Sequence, residues 1–217
     1  MVNRVIKLID LGRMKYGDAL ALQKEFLAKR IAGKCGDTLL LVEHEPVITL
    51  GRHADAQHIL ASKEALAKFG IGVFQIERGG DVTYHGPGQQ VGYPIFNIRE
   101  MGLSLHDYLR LLEETMIVAL SAFGLSAHRI SGLTGVFVDD AKLVAIGIAV
   151  KKWVTFHGFA FNVNPNMHHF ELIVPCGIRE HPVGSLSGAL GETKSLSDLR
   201  PHLISAFERV FGITITD

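Results

Sequence analysis

Residues 143–163 decide the fold class of this chain. Their sequence is Leu-Val-Ala-Ile-Gly-Ile-Ala-Val for residues 143–150, Lys-Lys for 151–152 and Trp-Val-Thr-Phe-His-Gly-Phe-Ala-Phe-Asn-Val for 153–163. Both flanking runs are rich in β-branched and aromatic residues, which favour strands. Because two-residue turns are the favoured connection in β hairpins, the segment is predicted to form an antiparallel hairpin.

Side chains along such a hairpin alternate between two faces. With residues 151–152 in the turn, Ala145 lies opposite Gly158. In the same register, Ile146 lies opposite His157. One face then carries Lys142, Ile146 and His157, and the other carries Ala145, Gly147 and Gly158. We expect the second face to stay unfilled as a narrow slot with apolar walls, and Lys142 and His157 to lie on the opposite face or at the strand end.

The rest of the chain alternates between strand and helix patterns. Further strands are predicted at residues 5–10, 38–43, 47–50, 72–77, 90–98 and 135–139, and helices at 17–32, 62–69, 105–123 and 198–211. Several neighbouring strands are joined too closely to admit a crossover helix, so antiparallel pairing is expected. The fold class is therefore α+β, with a mixed, mostly antiparallel sheet flanked by helices, in one domain over residues 1–217.

Composition excludes several classes of protein. The chain has 217 residues, of which 47% are hydrophobic, and its 22 Lys and Arg balance its 22 Asp and Glu. This balance argues against general nucleic-acid binding, which usually needs a basic excess. The longest apolar run, residues 143–150, is far shorter than the roughly 20 residues of a membrane helix. We therefore expect a soluble protein of the cytoplasm.

Residues 78–94 have the composition of a ligand-binding segment. They read Arg-Gly-Gly-Asp-Val-Thr-Tyr-His-Gly-Pro-Gly-Gln-Gln-Val-Gly-Tyr-Pro, with five glycines and two prolines. Glycine admits positive φ and allows other atoms to approach the backbone closely. Polar and aromatic side chains between such glycines indicate a backbone shaped around a ligand, although a glycine-rich hairpin in a solvated loop remains the alternative.

Cys176 and Lys142 are candidates for acyl transfer. Cys35 follows a helical pattern and is interpreted as a loop residue, whereas Cys176 lies between Pro175 and Gly177 after an apolar run. Its thiol either points into a cleft or is a small buried hydrophobe. A nearby ammonium stabilises a thiolate, so a cysteine and a lysine can form a nucleophilic pair. The sequence does not show that these two residues, 34 positions apart, meet.

Two of the 11 histidines have surroundings typical of a functional site. His85 lies in Tyr-His-Gly-Pro-Gly and His157 in Thr-Phe-His-Gly. Either could orient a substrate, take part in proton transfer or bond a buried carbonyl. A zinc site built from His168, His169, His181 and Cys176 is disfavoured, because the spacing matches no common zinc pattern.

Taken together, these segments resemble the lipoyl(octanoyl) transferase family. The resemblance extends from Leu-Val-Glu-His-Glu-Pro-Val-Ile-Thr-Leu-Gly-Arg at residues 41–52 to Ser187, and residues 78–94 match the family signature closely. Thr-Gly-Val-Phe-Val at 134–138, Lys142 with Ala-Ile-Gly at 145–147, Thr-Phe-His-Gly-Phe-Ala-Phe-Asn at 155–162 and Pro-Cys-Gly-Ile at 175–178 follow in the family's order.

The resemblance implies a reaction and its residues. An octanoyl group passes from octanoyl-acyl carrier protein to a lysine of lipoyl domains, in 2-oxoacid dehydrogenase complexes and the glycine cleavage H protein. Cys176 matches the nucleophile that carries an acyl-thioester, and Lys142 matches the acid/base that lowers the thiol pKa. The expected substrate-binding residues are Arg78, Gly79, Gly80, Asp81, Val82, Thr83, Tyr84, His85, Ala145, Ile146, Gly147, His157, Gly158, Phe159 and Ala160. No metal or other cofactor is expected, and the implied fold is that of the lipoate and biotin protein ligases.

The chain departs from the family at two positions. Phe137 stands where the family usually has Trp, and Gly184 where it usually has Thr, which removes a hydroxyl near the expected site. Three other functions stay open from the residues alone. They are an ATP-dependent lipoate or biotin ligase, a cysteine hydrolase using Cys176 and His157, and a non-catalytic module that binds acylated domains.

Overall fold

The computed structural model of the protein describes residues 4–175 and 180–217. Within this part of the chain, a large sheet has eight strands. In spatial order they are β11 (Ile213–Thr216), β1 (Arg4–Met14), β2 (Thr38–His44), β6 (Gln89–Ile95), β10 (Val154–Asn162), β9 (Ala141–Lys151), β8 (Val136–Val138) and β7 (Ala127–His128). Strand β1 pairs parallel with β11 and β2, and every pair from β2 to β7 is antiparallel.

A smaller sheet of three strands lies beside it. Its order is β4 (Gly72–Gln75), β3 (Val47–Leu50) and β5 (Val82–His85), and β3 pairs parallel with β4 and antiparallel with β5. Strand β5 lies within the glycine-rich segment 78–94 and is not among the strands predicted from the sequence. The segment is therefore part strand and part turn.

Helices cover both faces of the large sheet. They are α1 (Tyr16–Ile31), α2 (Lys63–Lys68), α3 (Leu105–Ser121), α4 (Leu186–Leu190) and α5 (Leu196–Phe211), with short 3₁₀ helices at Ala56–His58 and Met167–Leu172. Leu39 and Leu41 of β2 pack in the cluster that contains α3 and α5, whereas Leu40 and Val42 pack in the cluster that contains α1. Because both faces of β2 are buried, its sequence is a continuous apolar run rather than an alternating one.

These elements confirm the predicted α+β class. The capping box of α3 is present, since the Ser104 hydroxyl accepts from the Asp107 backbone N–H and the Asp107 carboxylate accepts from that of Ser104. The parallel pair β1–β2 is connected through α1, which is the kind of crossover that parallel strands need. Among the described residues, no helix is both long and apolar enough to cross a membrane.

The predicted hairpin forms, but its register is wrong by two residues. Gly147 pairs with Gly158 and Ala145 with Ala160. The turn residues are Lys152 and Trp153, whose φ angles of 49° and 67° fit a type I′ turn, which requires positive φ at both central residues. A shift of two residues keeps each paired side chain on its face, so Ala145, Gly147 and Gly158 still share one side.

The prediction that Lys142 and His157 lie on the other side is wrong. The pairing of β8 with β9 changes from Val136–Val144 to Phe137–Lys142, which leaves one extra residue on β9. Such a bulge reverses the alternation, so Lys142 lines a cavity together with Ala145. The backbone of His157 has a φ of 57°, outside the strand range, and its ring lines the cavity of Gly147 and Gly158.

Candidate active site

A cavity lies between the segment 76–85 and the β9–β10 hairpin, and we name it the slot. Its wall contains most of the residues predicted to bind substrate: Arg78, Gly79, Gly80, Thr83, His85, Ala145, Ile146, Gly147, His157, Gly158, Phe159 and Ala160. Four more residues complete it: Tyr16, Ile76, Val91 and Tyr93. The structure therefore brings two distant motifs together around one space.

The glycines of the hairpin allow neighbouring backbone to pack closely against it. The expectation that they leave their face of the hairpin unfilled is therefore wrong. A Cβ at Gly147 would lie 3.0 Å from both Arg78 Cδ and the Gly79 carbonyl oxygen. The Gly79 N–H also donates to the Ile148 carbonyl at 2.9 Å. A Cβ at Gly158 would lie 2.2 Å from the Gly92 carbonyl oxygen of β6. Gly147 thus allows the Arg-Gly-Gly turn to pack directly on β9, and Gly158 allows close contact with β6.

Arg78 is a buried cation on the wall of the slot. Its Nη2 donates to the Thr49 carbonyl at 2.8 Å and to the Thr49 hydroxyl at 2.9 Å, and its Nη1 donates to the Gly79 carbonyl at 3.1 Å. These contacts fix the guanidinium between β3 and the turn. Its positive charge acts on the neighbouring titratable groups, in particular His85 and His157.

His85 is buried and neutral. Burial, helped by the charges of His44 and Arg78, lowers its pKa to about 3. Its Nδ1 donates to Gln89 Oε1 at 2.7 Å, and Nε2 lies 3.4 Å from the Thr49 hydroxyl. A histidine in this state orients neighbours and is a poor proton acceptor near pH 7.

His157 is also neutral, and its side chain is 2% exposed. Burial and the charge of Arg78 lower its pKa to about 4. The backbone N–H donates to Gln23 Oε1 at 3.0 Å. Among the described residues, Nε2 has no hydrogen-bond partner and lies 3.8 Å from the Glu77 carboxylate.

Three described residues of the signature, Asp81, Val82 and Tyr84, lie outside the wall of the slot. Val82 and Tyr84 are fully buried in a separate apolar cluster that also contains Phe170. Asp81 accepts a hydrogen bond from His58 Nδ1 at 2.5 Å. The alternation of β5 therefore sends Thr83 and His85 to the slot and Val82 and Tyr84 away from it.

Lys142 lies in a second, smaller cavity that adjoins the slot. Its walls are formed by Thr83, Gln89, Lys142, Ala145, Asn162, Phe170, Pro175 and Val183, and Thr83 and Ala145 also line the slot. Lys142 is 8% exposed, and its Nζ lies 5.5 Å from the centre of the Phe137 ring. An aromatic face is thus in reach of the ammonium at the position where the family usually has Trp.

The backbone around Lys142 holds it from both sides. Its N–H donates to the Pro182 carbonyl at 2.8 Å, and its carbonyl accepts from the Gly184 N–H at 2.9 Å. Gly135 has a φ of 133°, and a Cβ there would lie 2.6 Å from Lys142 Cε. The stem of the lysine therefore runs directly over a glycine backbone.

Cys176, with Gly177 and Ile178 of its motif, lies outside the described residues. Pro175, which precedes it in the sequence, is described and lines the cavity of Lys142. Residues 4–175 and 180–217 contain no group of three His, Cys, Asp or Glu side chains arranged to hold a metal ion.

Sequence reasoning missed the polar end of the slot, where Tyr16 of α1 and Tyr93 of β6 line the wall and the ring of His44 of β2 packs against both. His44 Nδ1 donates to the Met14 carbonyl at 3.3 Å, so its Nε2 accepts from the Tyr93 hydroxyl at 2.6 Å. Burial lowers the His44 pKa to about 4 and raises that of Tyr16 well above its ordinary value. The signal was a histidine within an apolar strand pattern, Leu-Val-Glu-His at residues 41–44.

Comparisons with known proteins agree with this geometry. Residues 15–208 match the family described as lipoyl protein ligase A/B catalytic domain. An octanoyltransferase of Caldicellulosiruptor bescii is 50% identical over 209 residues, covering 95% of this chain and 92% of the relative. An octanoyltransferase of Alkaliphilus metalliredigens is 45% identical over 213 residues, covering 98% of each chain.

Solved structures share the fold at low sequence identity. Lipoate-protein ligase A bound with ATP superposes with a TM-score of 0.76 at 17% identity, covering 100% of this chain and 88% of the other. The biotin protein ligase from Aquifex aeolicus in complex with biotin and ATP gives a TM-score of 0.54 at 12% identity, covering 95% of this chain and 70% of the other. The predicted likeness to the ligase fold is confirmed.

Proposed function

We propose that this chain, which belongs to the lipoyl(octanoyl) transferase family, transfers an octanoyl group from acyl carrier protein to a lysine of lipoyl domains in the cytoplasm. The acceptors are the lipoyl domains of 2-oxoacid dehydrogenase complexes and the glycine cleavage H protein. The observation that carries the proposal is the buried Lys142 in a cavity that adjoins the slot and has Pro175, the neighbour of Cys176, in its wall.

The reaction has two thiol-dependent steps. The Cys176 thiolate attacks the thioester carbonyl of the donor, a new thioester forms on Cys176, and the carrier thiolate leaves and takes up a proton. The ε-amine of the acceptor lysine then attacks this thioester, an amide forms, and the Cys176 thiolate is released. Because the first step exchanges one thioester for another, it needs no ATP.

Lys142 handles the protons in this scheme. An ammonium next to the thiol favours the thiolate, which is the reactive form. When the acceptor amine attacks, Lys142 in its neutral form takes the proton that the new amide nitrogen loses. The apolar walls of Ala145, Phe170 and Val183 would keep water from the intermediate.

The slot would hold the acyl chain. Burial of an alkyl chain contributes about 0.8 kcal/mol per methylene. His85 and His157 are neutral near pH 7 because their pKa values lie at about 3 and about 4. The guanidinium of Arg78, which lines the same wall, is already bonded to Thr49 and Gly79. An uncharged chain therefore does not have to displace an imidazolium.

Intact mass spectrometry tests the proposal directly. Mixing the protein with octanoyl-acyl carrier protein is expected to add one octanoyl group, which apo lipoyl domain then removes. Cys176→Ser is expected to abolish the adduct, and Cys35→Ser serves as the matched thiol control. An adduct that survives in Cys176→Ser places the nucleophile elsewhere.

Two further measurements separate this function from its rivals. Lys142→Ala is expected to move the pH profile of Cys176 alkylation by iodoacetamide to higher pH, and an unchanged profile removes Lys142 from this role. Turnover of free octanoate with ATP would instead identify a ligase. Release of free octanoate without an acceptor would identify a hydrolase.

A further inference from the structure

The outward face of the signature strand contacts the segment that leads to Cys176. While Thr83 and His85 of β5 line the slot, Tyr84 points to the opposite side. Its hydroxyl is hydrogen-bonded to His169 Nδ1 at 2.7 Å, and its ring meets that of Phe170 edge to face at 5.2 Å. Both contacts lie in the 3₁₀ helix Met167–Leu172.

Asp81 makes a second connection, through the loop at residues 55–60. Its carboxylate accepts from the Val82 N–H at 2.7 Å and from the Asp55 N–H at 3.2 Å, and it bonds His58 Nδ1 at 2.5 Å. One carboxylate thus holds the start of β5 and a neighbouring loop together.

The same loop holds the residues just before Pro175. The Val174 N–H donates to the His58 carbonyl at 2.7 Å, and the Leu60 N–H donates to the Leu172 carbonyl at 2.9 Å. Ile59 and Ile173 form an antiparallel bridge between these bonds. The loop and residues 172–174 therefore form a short two-stranded contact that ends one residue before Pro175.

We propose that Asp81 and Tyr84 are positioning residues that fix the segment 169–175 through His58 and His169, and that acyl loading of Cys176 depends on this segment being held. This inference rests on the proposed function. The segment carries Phe170 and Pro175, both of which line the cavity of Lys142. One face of strand β5 lines the slot, and the other face contacts the segment that leads to Cys176.

The expected cost of losing this connection follows from reaction geometry. A displacement of about 1 Å between reacting groups can lower a rate by about 100-fold. Because the two residues face away from the slot, their loss is expected to slow acyl loading without weakening donor binding. A residue that bound the acyl chain would instead raise the donor concentration needed for half-maximal loading.

Single-turnover loading of Cys176 from octanoyl-acyl carrier protein, followed by intact mass, measures both quantities. Asp81→Asn keeps an oxygen for the Val82 N–H and removes the charge from His58, and Tyr84→Phe removes only the hydroxyl. We expect each variant to lower the maximal loading rate by tenfold to 100-fold, with half-saturation unchanged within twofold. Melting curves identify the temperature at which every variant is folded.

Two controls sharpen the result. His53→Gln changes an exposed histidine of the neighbouring loop and is expected to load at the wild-type rate. His58→Gln is expected to slow loading, and the double variant Asp81→Asn/His58→Gln is expected to be no slower than the worse single variant, since both break one connection.

The outcomes are distinct for the two proposals. Wild-type loading rates in both Asp81→Asn and Tyr84→Phe, or a change confined to half-saturation, overturn the positioning role and leave the proposed function intact. A wild-type protein that forms no adduct at Cys176 overturns the proposed function and the positioning role with it.

Discussion

Replacing Gly135 by alanine should displace the lysine of the candidate site without replacing any group that takes part in the proposed chemistry. A Cβ at this position would lie 2.6 Å from Lys142 Cε and 2.5 Å from the Val144 carbonyl oxygen. Val144 pairs with Val136 across β8 and β9, so its carbonyl is held by the sheet. The lysine side chain can move aside, whereas the clash with the Val144 carbonyl must be relieved by a shift of the strand backbone, which lowers stability.

The size of the displacement can be worked out from the contact distances. Carbon atoms in favourable contact are about 3.5–4.0 Å apart, so Lys142 Cε must retreat by about 1 Å. A misplacement of that size is expected to cost about 100-fold in rate, or about 2.7 kcal/mol of activation free energy. The φ of 133° adds backbone strain, which lowers stability as well.

A matched control separates strain from displacement. Gly132 also has a positive φ, of 82°, but a Cβ there meets nothing within 4 Å. Gly132→Ala is therefore expected to lose about 1 kcal/mol of stability and to keep its transfer rate. Octanoyl transfer to apo lipoyl domain, measured well below both melting temperatures, should fall only in Gly135→Ala. Equal rates in the two variants would refute the requirement for Lys142 in its present position.

Three further changes test other parts of the structure. Gly184→Thr is expected to lose 1–3 kcal/mol in thermal unfolding, because its Cβ would lie 2.9 Å from both Ala141 Cβ and Leu143 Cδ1, and Ala141→Gly should relieve part of the loss. Burial lowers the His44 pKa to about 4, so the unfolded chain alone gains its proton as the pH falls from 6.5 to 5. His44 alone should lower the unfolding free energy by up to about 1.4 kcal/mol per pH unit. His44→Gln should remove this share of the slope in urea titrations, while the shares of the buried His85 and His157 persist. Asp37→Asn removes one of the two carboxylates bonded to Arg30, the one at 2.7 Å, and leaves Glu100 in place, so it should cost about 1.5–3 kcal/mol in urea unfolding, with acyl loading per folded molecule unchanged.

The sequence was sufficient for the fold class and for the main elements. Apolar periodicity located the hairpin and the capped helix α3, and close strand spacing predicted antiparallel pairing. Neither candidate turn pair, Lys-Lys or Lys-Trp, contains the glycine or asparagine that marks a type I′ turn. Register therefore had no local signal, and tertiary contacts such as Arg99 over the Trp153 ring were invisible.

The sequence located most of the residues that line the slot, but not their arrangement. The β9 bulge that turns Lys142 towards Ala145 has no marker residue in the sequence Ala-Lys-Leu-Val at 141–144. The positive φ of His157 breaks the alternation of side chains along β10, and positive φ is uncommon for any residue other than glycine. Both features are irregularities of the backbone that packing imposes. A prediction from strict two-residue alternation assumes a regular strand, so it misses them.

The signature at residues 78–85 is short because one strand within it, β5, presents side chains on both of its faces. A strand of four residues offers two side chains to each side, and β5 gives Thr83 and His85 to the slot and Val82 and Tyr84 to the segment before Pro175. Any shift of β5 must therefore move the wall of the slot and the segment before Pro175 together. In the proposed mechanism, the same four residues would hold both the wall for the acyl chain and the segment before Pro175, so these residues are neighbours in sequence because they share a position and not because they share a role.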